Sequence, residues 1–221
     1  MPRRSASAKR KATDVGEVLL LGCEGAGKTL LCRHLDKLAK GDTNFPVLKE
    51  TQPSIGIEMV TIGHRSKSFT LREVGGSMQP VWHKYFDGCA AVILVADTAT
   101  GFGASNAAVE LAELIRSDAL QQKRLLLLLN KQDLEHAIPE ESLQLLLRLP
   151  MMQACAGTER LKVLPASALT GDGLTQVMDW CVSSCVEHAN NPAVAQSQNL
   201  DPNSADGQPM HRSRWRLRRR S

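Results

Sequence analysis

Short apolar runs alternate with stretches that repeat apolar residues every three or four positions, and this alternation constrains the fold more than any other feature. The runs that predict β-strands lie at residues 18–21, 55–62, 68–74, 90–96, 124–129 and 161–165. The stretches with helical spacing lie at residues 28–40, 104–119, 139–149 and 174–188. Strands that alternate with helices predict an α/β fold, in which helices cover both faces of a mainly parallel sheet.

Two of the predicted strands lie too close together in the sequence to be parallel neighbours. Only residues 63–67 separate the runs at 55–62 and 68–74, and a crossover between parallel strands needs about a dozen residues or more. These two runs are therefore predicted to form an antiparallel hairpin at one edge of a six-stranded sheet. Helix-end signals support the same plan, because Pro139, Glu140 and Glu141 suit a first helical turn and Gly41 suits a C-terminal cap.

The two ends of the chain differ in charge from its middle. Residues 1–13 carry five Lys or Arg and no acidic side chain, and the last ten residues carry six Arg. Residues 14–188 carry 16 basic and 21 acidic side chains. Residues 189–211 hold almost no large apolar side chain whose burial could offset the entropy cost of ordering. We therefore predict a basic disordered arm at 1–13, one domain at 14–188, and a disordered linker with an Arg-rich tail at 189–221.

The Arg-rich tail leaves several roles open. Its six Arg residues around Trp215 and Leu217 are typical of weak contact with an anionic membrane surface. They are equally typical of nuclear import, or of nonspecific RNA binding with Trp215 as a stacking group. A solvated tail without a role is an equal alternative, and specific nucleic-acid binding is not expected.

Several classes of protein are excluded by the sequence. Purely apolar runs such as residues 125–129 are much shorter than the roughly 20 residues that cross a bilayer. The basic N-terminus lacks the apolar segment of a secretory signal. The six cysteines show none of the C-x-x-C pairs that are typical of zinc sites. We therefore expect a cytoplasmic protein that is neither secreted nor transmembrane.

The strongest chemical signal lies between the first predicted strand and the first predicted helix. Residues 22–29 read G-C-E-G-A-G-K-T and match the pattern G-x-x-x-x-G-K-[ST]. Glycines let backbone N–H groups curl around phosphate oxygens, and the helix N-terminus adds partial positive charge. Lys28 is predicted to contact the β- and γ-phosphates, and Thr29 to offer its hydroxyl to Mg²⁺. The residues predicted to bind phosphate are Gly22, Glu24, Gly25, Ala26, Gly27, Lys28, Thr29 and Leu30.

A second motif predicts which base is bound. Asn130, Lys131 and Asp133 directly follow a predicted strand. The Asp133 carboxylate can accept hydrogen bonds from N1 and the exocyclic N2 of guanine, whereas adenine offers no such pair of donors. Asn130 is expected to bridge to the phosphate loop, and the Lys131 stem to lie on the base plane. Ser167 and Ala168 follow the last predicted strand, where the Ala168 backbone N–H is expected to reach guanine O6.

In this order, these motifs resemble those of the small GTPases, and within them the ADP-ribosylation factor (Arf) and Arf-like branch. Residues 53–56 (P-S-I-G) resemble the switch I motif P-T-I-G of that branch, residues 73–76 (E-V-G-G) its D-V-G-G, and residues 81–86 (V-W-H-K-Y-F) its L-W-x-x-Y-F. The resemblance covers about residues 15–188. It implies the P-loop fold of the small GTPases and a switch that binds GTP and GDP with Mg²⁺ as its cofactor.

The departures from the family pattern concern catalysis and the metal. The family usually places glutamine after the double glycine to orient the attacking water, whereas this chain has the shorter Ser77, with Gln79 as the only other candidate. We therefore expect slow intrinsic GTP hydrolysis, or hydrolysis that needs a GTPase-activating protein. Glu73 replaces an Asp that contacts Mg²⁺ through water, and Ser54 replaces the Thr of switch I that coordinates it. Gly76 keeps the backbone N–H that contacts the γ-phosphate.

The resemblance also implies protein partners. Where family effectors often contact an aromatic trio, this chain has Ile57, Arg72 and Tyr85, so its effectors are expected to differ from those of typical Arf proteins. Pro2 is expected to prevent the N-terminal myristoylation of Arf proteins. We expect a monomer that works with an exchange factor, a GTPase-activating protein and effectors in protein traffic at the Golgi or the cilium. The alternative, motivated by Ser77, is a scaffold that keeps nucleotide as a structural ligand without hydrolysing it.

Overall fold

The computed structural model describes residues 12–42 and 56–191. Within these two stretches, the strands are β1 (Thr13–Leu21), β2 (Ile57–His64), β3 (Lys67–Val74), β4 (Ala91–Asp97), β5 (Arg124–Asn130) and β6 (Leu161–Pro165). The α-helices are α1 (Lys28–Lys40), α2 (Gly101–Arg116), α3 (Glu140–Leu146), α4 (Leu149–Ala156) and α5 (Leu174–Ala189). Two 3₁₀ helices span Gly76–Tyr85 and Asp118–Leu120.

The strands form one sheet in the order β2-β3-β1-β4-β5-β6. β2 and β3 pair antiparallel at one edge, and every other pair of neighbours is parallel. The turn between β2 and β3 contains Arg65, whose backbone is left-handed with a φ of 57°. The predicted α/β fold, with six strands in a mainly parallel sheet and one antiparallel hairpin edge, is confirmed.

Helices cover both faces of the sheet and divide the interior into two cores. Successive residues of β1 enter opposite cores, as expected for a strand that is buried on both faces. Leu20 packs with α1 and α5, where Leu35 and Cys181 are fully buried. Leu19 packs with α2, where Leu111 is fully buried, and with the 3₁₀ helix Gly76–Tyr85. The sheet is therefore held between two apolar layers, and its carboxyl edge carries the loops.

The helix predicted at residues 139–149 is observed as α3 but ends earlier, at Leu146, and a second short helix that was not predicted, α4, follows it from Leu149. α3 ends at Leu146, and Arg148 takes a left-handed conformation with φ 49° and ψ 41° before α4 begins. Apolar residues continue at helical spacing through this break, so periodicity does not reveal it. The helix predicted at 104–119 instead runs from Gly101 to Arg116.

The helix-end signals are confirmed. Pro139 occupies the N-cap of α3, whose first turn carries Glu140 and Glu141, and Gly41 closes α1 in a left-handed conformation. β1 begins at Thr13 and α5 ends at Ala189. Most of the predicted basic arm, and the linker and tail from residue 192, lie outside the described residues, so the domain boundaries stay predictions. None of the helices in residues 12–42 and 56–191 is long and apolar enough to cross a bilayer.

Candidate functional site

The loop from Gly22 to Gly27 follows a backbone course that requires glycine. Gly22, Gly25 and Gly27 have φ angles of 143°, 75° and 95°, in the region that side chains disfavour. A Cβ atom at Gly22 would collide with the carbonyl oxygen of Val95, and one at Gly27 would collide with the amide group of Asn130. Gly25 faces open space. The loop is therefore packed against the sheet on one side and open on the other.

The N-terminus of α1 combines a bare helix end with a buried lysine. Gly27 is its N-cap, no side chain caps it, and its first turn has no acidic residue. The Lys28 Nζ donates to the carbonyl oxygens of Gly22 (2.7 Å) and Cys23 (2.9 Å). Burial lowers the pKa of Lys28, and the nearby Glu73 carboxylate opposes this shift. The positive end of the helix dipole and the ammonium group thus lie at one loop, which favours an anion there.

Thr29 and Glu73 meet beside this loop although 44 residues separate them. The Thr29 Oγ1 donates to the Glu73 Oε1 at 2.6 Å. Glu73 is 1% exposed, and its Oε2 has no hydrogen-bond partner among the described residues. An unpartnered carboxylate oxygen beside a hydroxyl oxygen fits a hard cation such as Mg²⁺. Ser54, the third residue predicted to bind the metal, lies outside the described residues.

Asn130 connects the two predicted motifs directly. Its Nδ2 donates to the carbonyl oxygen of Ala26 in the glycine loop at 2.7 Å. Its Oδ1 accepts from the backbone N–H of Ala168 at 2.9 Å. Asn130 is 1% exposed, so these bonds form away from water. The structure thereby brings together the loops after β1, β5 and β6, as their positions at the carboxyl ends of strands predict.

The residues predicted to contact the base are held by neighbours. The Ser167 hydroxyl donates to the Asp133 Oδ1 at 2.6 Å, which orients that carboxylate. The Lys131 Nζ donates to the Asp97 Oδ2 at 2.7 Å, and Lys131 has a left-handed φ of 71°. The Ala168 N–H, expected to donate to guanine O6, already donates to Asn130, so it reaches a base only by sharing or changing partner.

Gly76, Ser77 and Gln79 border a cavity of about 350 Å³ next to the glycine loop. Gly76 approaches the loop so closely that a Cβ atom there would collide with the backbone of Cys23 and Glu24. Ser77 and Gln79 are both exposed at the start of the 3₁₀ helix Gly76–Tyr85. The structure thus brings the double-glycine segment onto the loop that carries Lys28.

Sequence reasoning missed three polar residues at this site. Asp97 pairs with Lys131, and the His34 Nδ1 lies 2.9 Å from the carbonyl oxygen of Ala168. Glu110 lines the cavity, and burial raises its pKa to about 7. A signal existed only for Asp97, because it ends β4 where Asn130 ends β5, whereas His34 and Glu110 are single polar residues inside helices.

The family model described as "ADP-ribosylation factor family" matches residues 5–185. Human ADP-ribosylation factor-like protein 16 is 35% identical over 169 residues, which cover 75% of this chain and 84% of that protein. This chain belongs to the ADP-ribosylation factor family. Within this family of small GTPases, the run R-E-V-G-G-S-M at residues 72–78 favours the factor-like protein 16 branch, and the identity with the human protein agrees with that resemblance.

Other members of the Arf family match over similar lengths. ADP-ribosylation factor-like protein 1 of Saccharomyces cerevisiae is 30% identical over 167 residues, covering 75% of this chain and 85% of that protein. The structure of the Arl6 BBS3 small GTPase from Trypanosoma brucei, solved with the bound nucleotide analogue GppNp, superposes with a TM-score of 0.65 at 18% identity. That superposition covers 80% of this chain and 99% of the other, and it establishes a common fold.

The residues predicted to stand in place of the family's aromatic trio lie on the hairpin and the 3₁₀ helix. Ile57 on β2 is 46% exposed. The Arg72 guanidinium donates to the Glu17 Oε2 at 2.7 Å and lies 6.0 Å from the centre of the Tyr85 ring. Arg72 is therefore held against the strand surface by a carboxylate and an aromatic face.

Proposed function

We propose that this protein of the Arf family binds GTP and GDP and works as a guanine-nucleotide switch. The main support is the position of Asn130, whose amide joins Ala26 of the glycine loop to Ala168 of the loop after β6. In this proposal the glycine loop binds the phosphates at one end of the nucleotide, and the Asp133 carboxylate binds the base at the other.

The phosphate groups bind at the N-terminus of α1. The Lys28 ammonium exchanges the carbonyl oxygens of Gly22 and Cys23 for phosphate oxygens, which carry full charge and compensate its burial better. Backbone N–H groups of the glycine loop and the first turn of α1 supply the remaining donors. No side chain caps α1 at Gly27, which leaves the N-terminus of this helix open to a ligand.

Thr29 would hold Mg²⁺ directly and Glu73 would hold it through water, with Ser54 as a further ligand when GTP is bound. Bound Mg²⁺ neutralises charge that develops on the β- and γ-phosphates. The unpartnered Oε2 of Glu73 supports this assignment. In this proposal, phosphate and water supply the other ligands.

Asp133 selects guanine because its two oxygens accept from N1–H and the exocyclic amine of the base. The Ser167 hydroxyl fixes the rotamer of this carboxylate through its bond to Oδ1. Lys131, held by Asp97, lies with its aliphatic stem along the base. Adenine would leave Asp133 without its two hydrogen bonds from the base, so ATP binds far more weakly.

Hydrolysis is slow because Ser77 is too short to orient the attacking water. The GTP state persists until a GTPase-activating protein acts or nucleotide is exchanged. In that state Gly76 donates its N–H to the γ-phosphate, and Ser54 binds the metal. Effectors then recognise the conformation that the segment after Gly76 adopts when GTP is bound.

Effectors bind the hairpin and the 3₁₀ helix through a surface unlike that of typical Arf proteins. The Arg72–Glu17 ion pair and the exposed Ile57 support this assignment. Family membership supports a role of the monomer in cytoplasmic protein traffic with an exchange factor, a GTPase-activating protein and effectors. Golgi or ciliary association and weak contact of the Arg-rich tail with anionic membranes are proposed from sequence alone.

Nucleotide exchange tests this function. Purified protein is analysed for retained nucleotide, then incubated with Mg²⁺ and GTP or GDP and digested with a protease. A switch exchanges its nucleotide and shows two different digestion patterns, whereas the alternative, a nonhydrolysing scaffold motivated by Ser77, shows one pattern. The Lys28→Ala variant serves as the control that loses phosphate binding while its base contacts remain.

A further inference from the structure

One buried acidic residue at the edge of this site, Glu110, has no role in the proposed nucleotide binding. Glu110 of α2 is 6% exposed, and its Oε2 has no hydrogen-bond partner among the described residues. A buried carboxylate oxygen without a protein partner normally binds water or a ligand. We therefore expect the Glu110 carboxyl to bind water or a ligand.

Glu110 lies at the wall of the cavity of about 350 Å³ described above. The same cavity is bordered by Cys23 and Glu24 of the glycine loop and by Gly76 and Ser77. It has room for several water molecules and polar groups to hold them. The cavity connects the Glu110 carboxyl with the part of the loop where the proposed γ-phosphate binds.

The charges around Glu110 set the pH at which it ionises. Burial raises its pKa to about 7, the Lys28 ammonium opposes that shift, and Glu113 adds to it. From the glycine loop, the exposed Glu24 carboxylate and the Cys23 thiol face the same cavity. The pKa of Cys23 is itself raised by burial and by Glu110, so this thiol stays protonated near neutral pH.

We propose that Glu110 is a positioning residue for GTP hydrolysis, which orders a water chain in the cavity and accepts a proton from it. This proposal rests on the proposed GTP binding. The attacking water forms a bond from its oxygen to the γ-phosphorus, and the bond to the β–γ bridging oxygen breaks, with the electron pair leaving on GDP. The proton of the water passes along the chain to the Glu110 carboxylate and then to solvent.

The residues around Glu110 are less suited than Glu110 to accept a proton from the water chain. Ser77 occupies the position of the usual glutamine but is too short for its role, and Gln79 is exposed to solvent. The acid of α2 is buried, fixed by its helix and free at one oxygen. A base that titrates near the working pH is also the most effective proton acceptor.

Single-turnover hydrolysis between pH 6 and 9 tests the proposal on the full chain loaded with GTP and Mg²⁺. We expect the slow wild-type rate to rise with pH through about 7 and then level off, because the carboxylate form is required. Glu110→Gln, which has the shape of the protonated acid, should lower the rate at pH 8 by about tenfold or more and remove the pH dependence.

Two controls separate positioning from structure. Glu113→Gln changes an exposed acid three residues further along α2 and should keep the pH-dependent rate. GTP affinity, measured separately with labelled nucleotide, should be unchanged by Glu110→Gln. A wild-type rate that is flat with pH or undetectable, or an equal pH profile in wild type and Glu110→Gln, would overturn the role of Glu110 while leaving GTP binding intact. Absence of GTP binding in the wild type would instead refute the proposed function and this role with it.

Discussion

Glu110 is also a group whose ionisation acts against folding. Its pKa rises from 4.5 to about 7 on burial, so the folded state holds the proton more tightly than the unfolded state. Below about pH 4.5 the carboxyl is neutral in both states and does not lower the free energy of unfolding. As the pH rises from there to about 7, the free energy of unfolding falls.

We expect Glu110→Gln to be more stable than the wild type at pH 8 by roughly 1–3 kcal/mol and about equally stable at pH 5. Glutamine resembles the protonated acid and cannot ionise. Thermal or urea denaturation of the nucleotide-free proteins at the two pH values measures the difference. An equal stability difference at both pH values would contradict the raised pKa.

Asn130 is the residue whose loss should affect both ends of the site. Asn130→Ala removes two buried hydrogen bonds and leaves the Ala26 carbonyl and the Ala168 N–H without these partners. We expect a loss of roughly 2–4 kcal/mol in the free energy of unfolding, measured in urea without nucleotide. Gln132→Ala is the matched control, because Gln132 is exposed and Thr98 retains its bond to the Asn130 carbonyl. A loss no larger than in the control would contradict this role of Asn130.

At the scale of elements, we expect the 3₁₀ helix Gly76–Tyr85 to respond most strongly to whether GTP or GDP is bound. It packs on the glycine loop at Gly76, and it is anchored by Trp82, which is buried and donates to the Gly75 carbonyl oxygen at 3.3 Å. Contact at one end and a fixed anchor at the other are what we expect of a segment whose conformation changes when a γ-phosphate binds.

Gly76→Ala should therefore weaken GTP binding without affecting GDP binding to the same degree. The added Cβ collides with the backbone of Cys23 and Glu24, which pushes the Gly76 N–H away from a γ-phosphate. We expect GTP affinity to fall about tenfold or more, the value of one hydrogen bond to a charged group, while GDP affinity changes little. Gly88→Ala, where a Cβ meets nothing within 4 Å, is the control. Equal losses for GTP and GDP would indicate a purely structural effect.

The sequence predicts the long elements but not the places where local geometry overrides periodicity. α1 is predicted at its observed bounds, Lys28–Lys40, because apolar spacing, the glycine loop and Gly41 all agree. The break at Arg148 depends on a left-handed residue that is neither glycine nor asparagine, which no sequence pattern marks. The 3₁₀ helix contains Pro80 and shows little apolar periodicity, so its helical form depends on the burial of Trp82.

Across the whole molecule, the site follows from the topology of the sheet. The loops after β1, β5 and β6 meet because parallel strands present their carboxyl ends at one edge. Motif order alone therefore predicts that Lys28 and Asp133 serve one cleft. It does not predict that Glu110 of α2 would line the cavity beside the glycine loop, or that the Ala168 N–H would donate to Asn130, because these contacts depend on side-chain packing.

Equilibrium binding of labelled GTP in Mg²⁺, with unlabelled GDP and ATP as competitors, tests the central claim most directly. We expect GDP to displace GTP at comparable concentrations. ATP should require a concentration at least about 100-fold higher, because the loss of two hydrogen bonds to the Asp133 carboxylate costs roughly 3–6 kcal/mol. Displacement by ATP as readily as by GDP, or no binding of labelled GTP at all, would contradict a guanine-nucleotide switch.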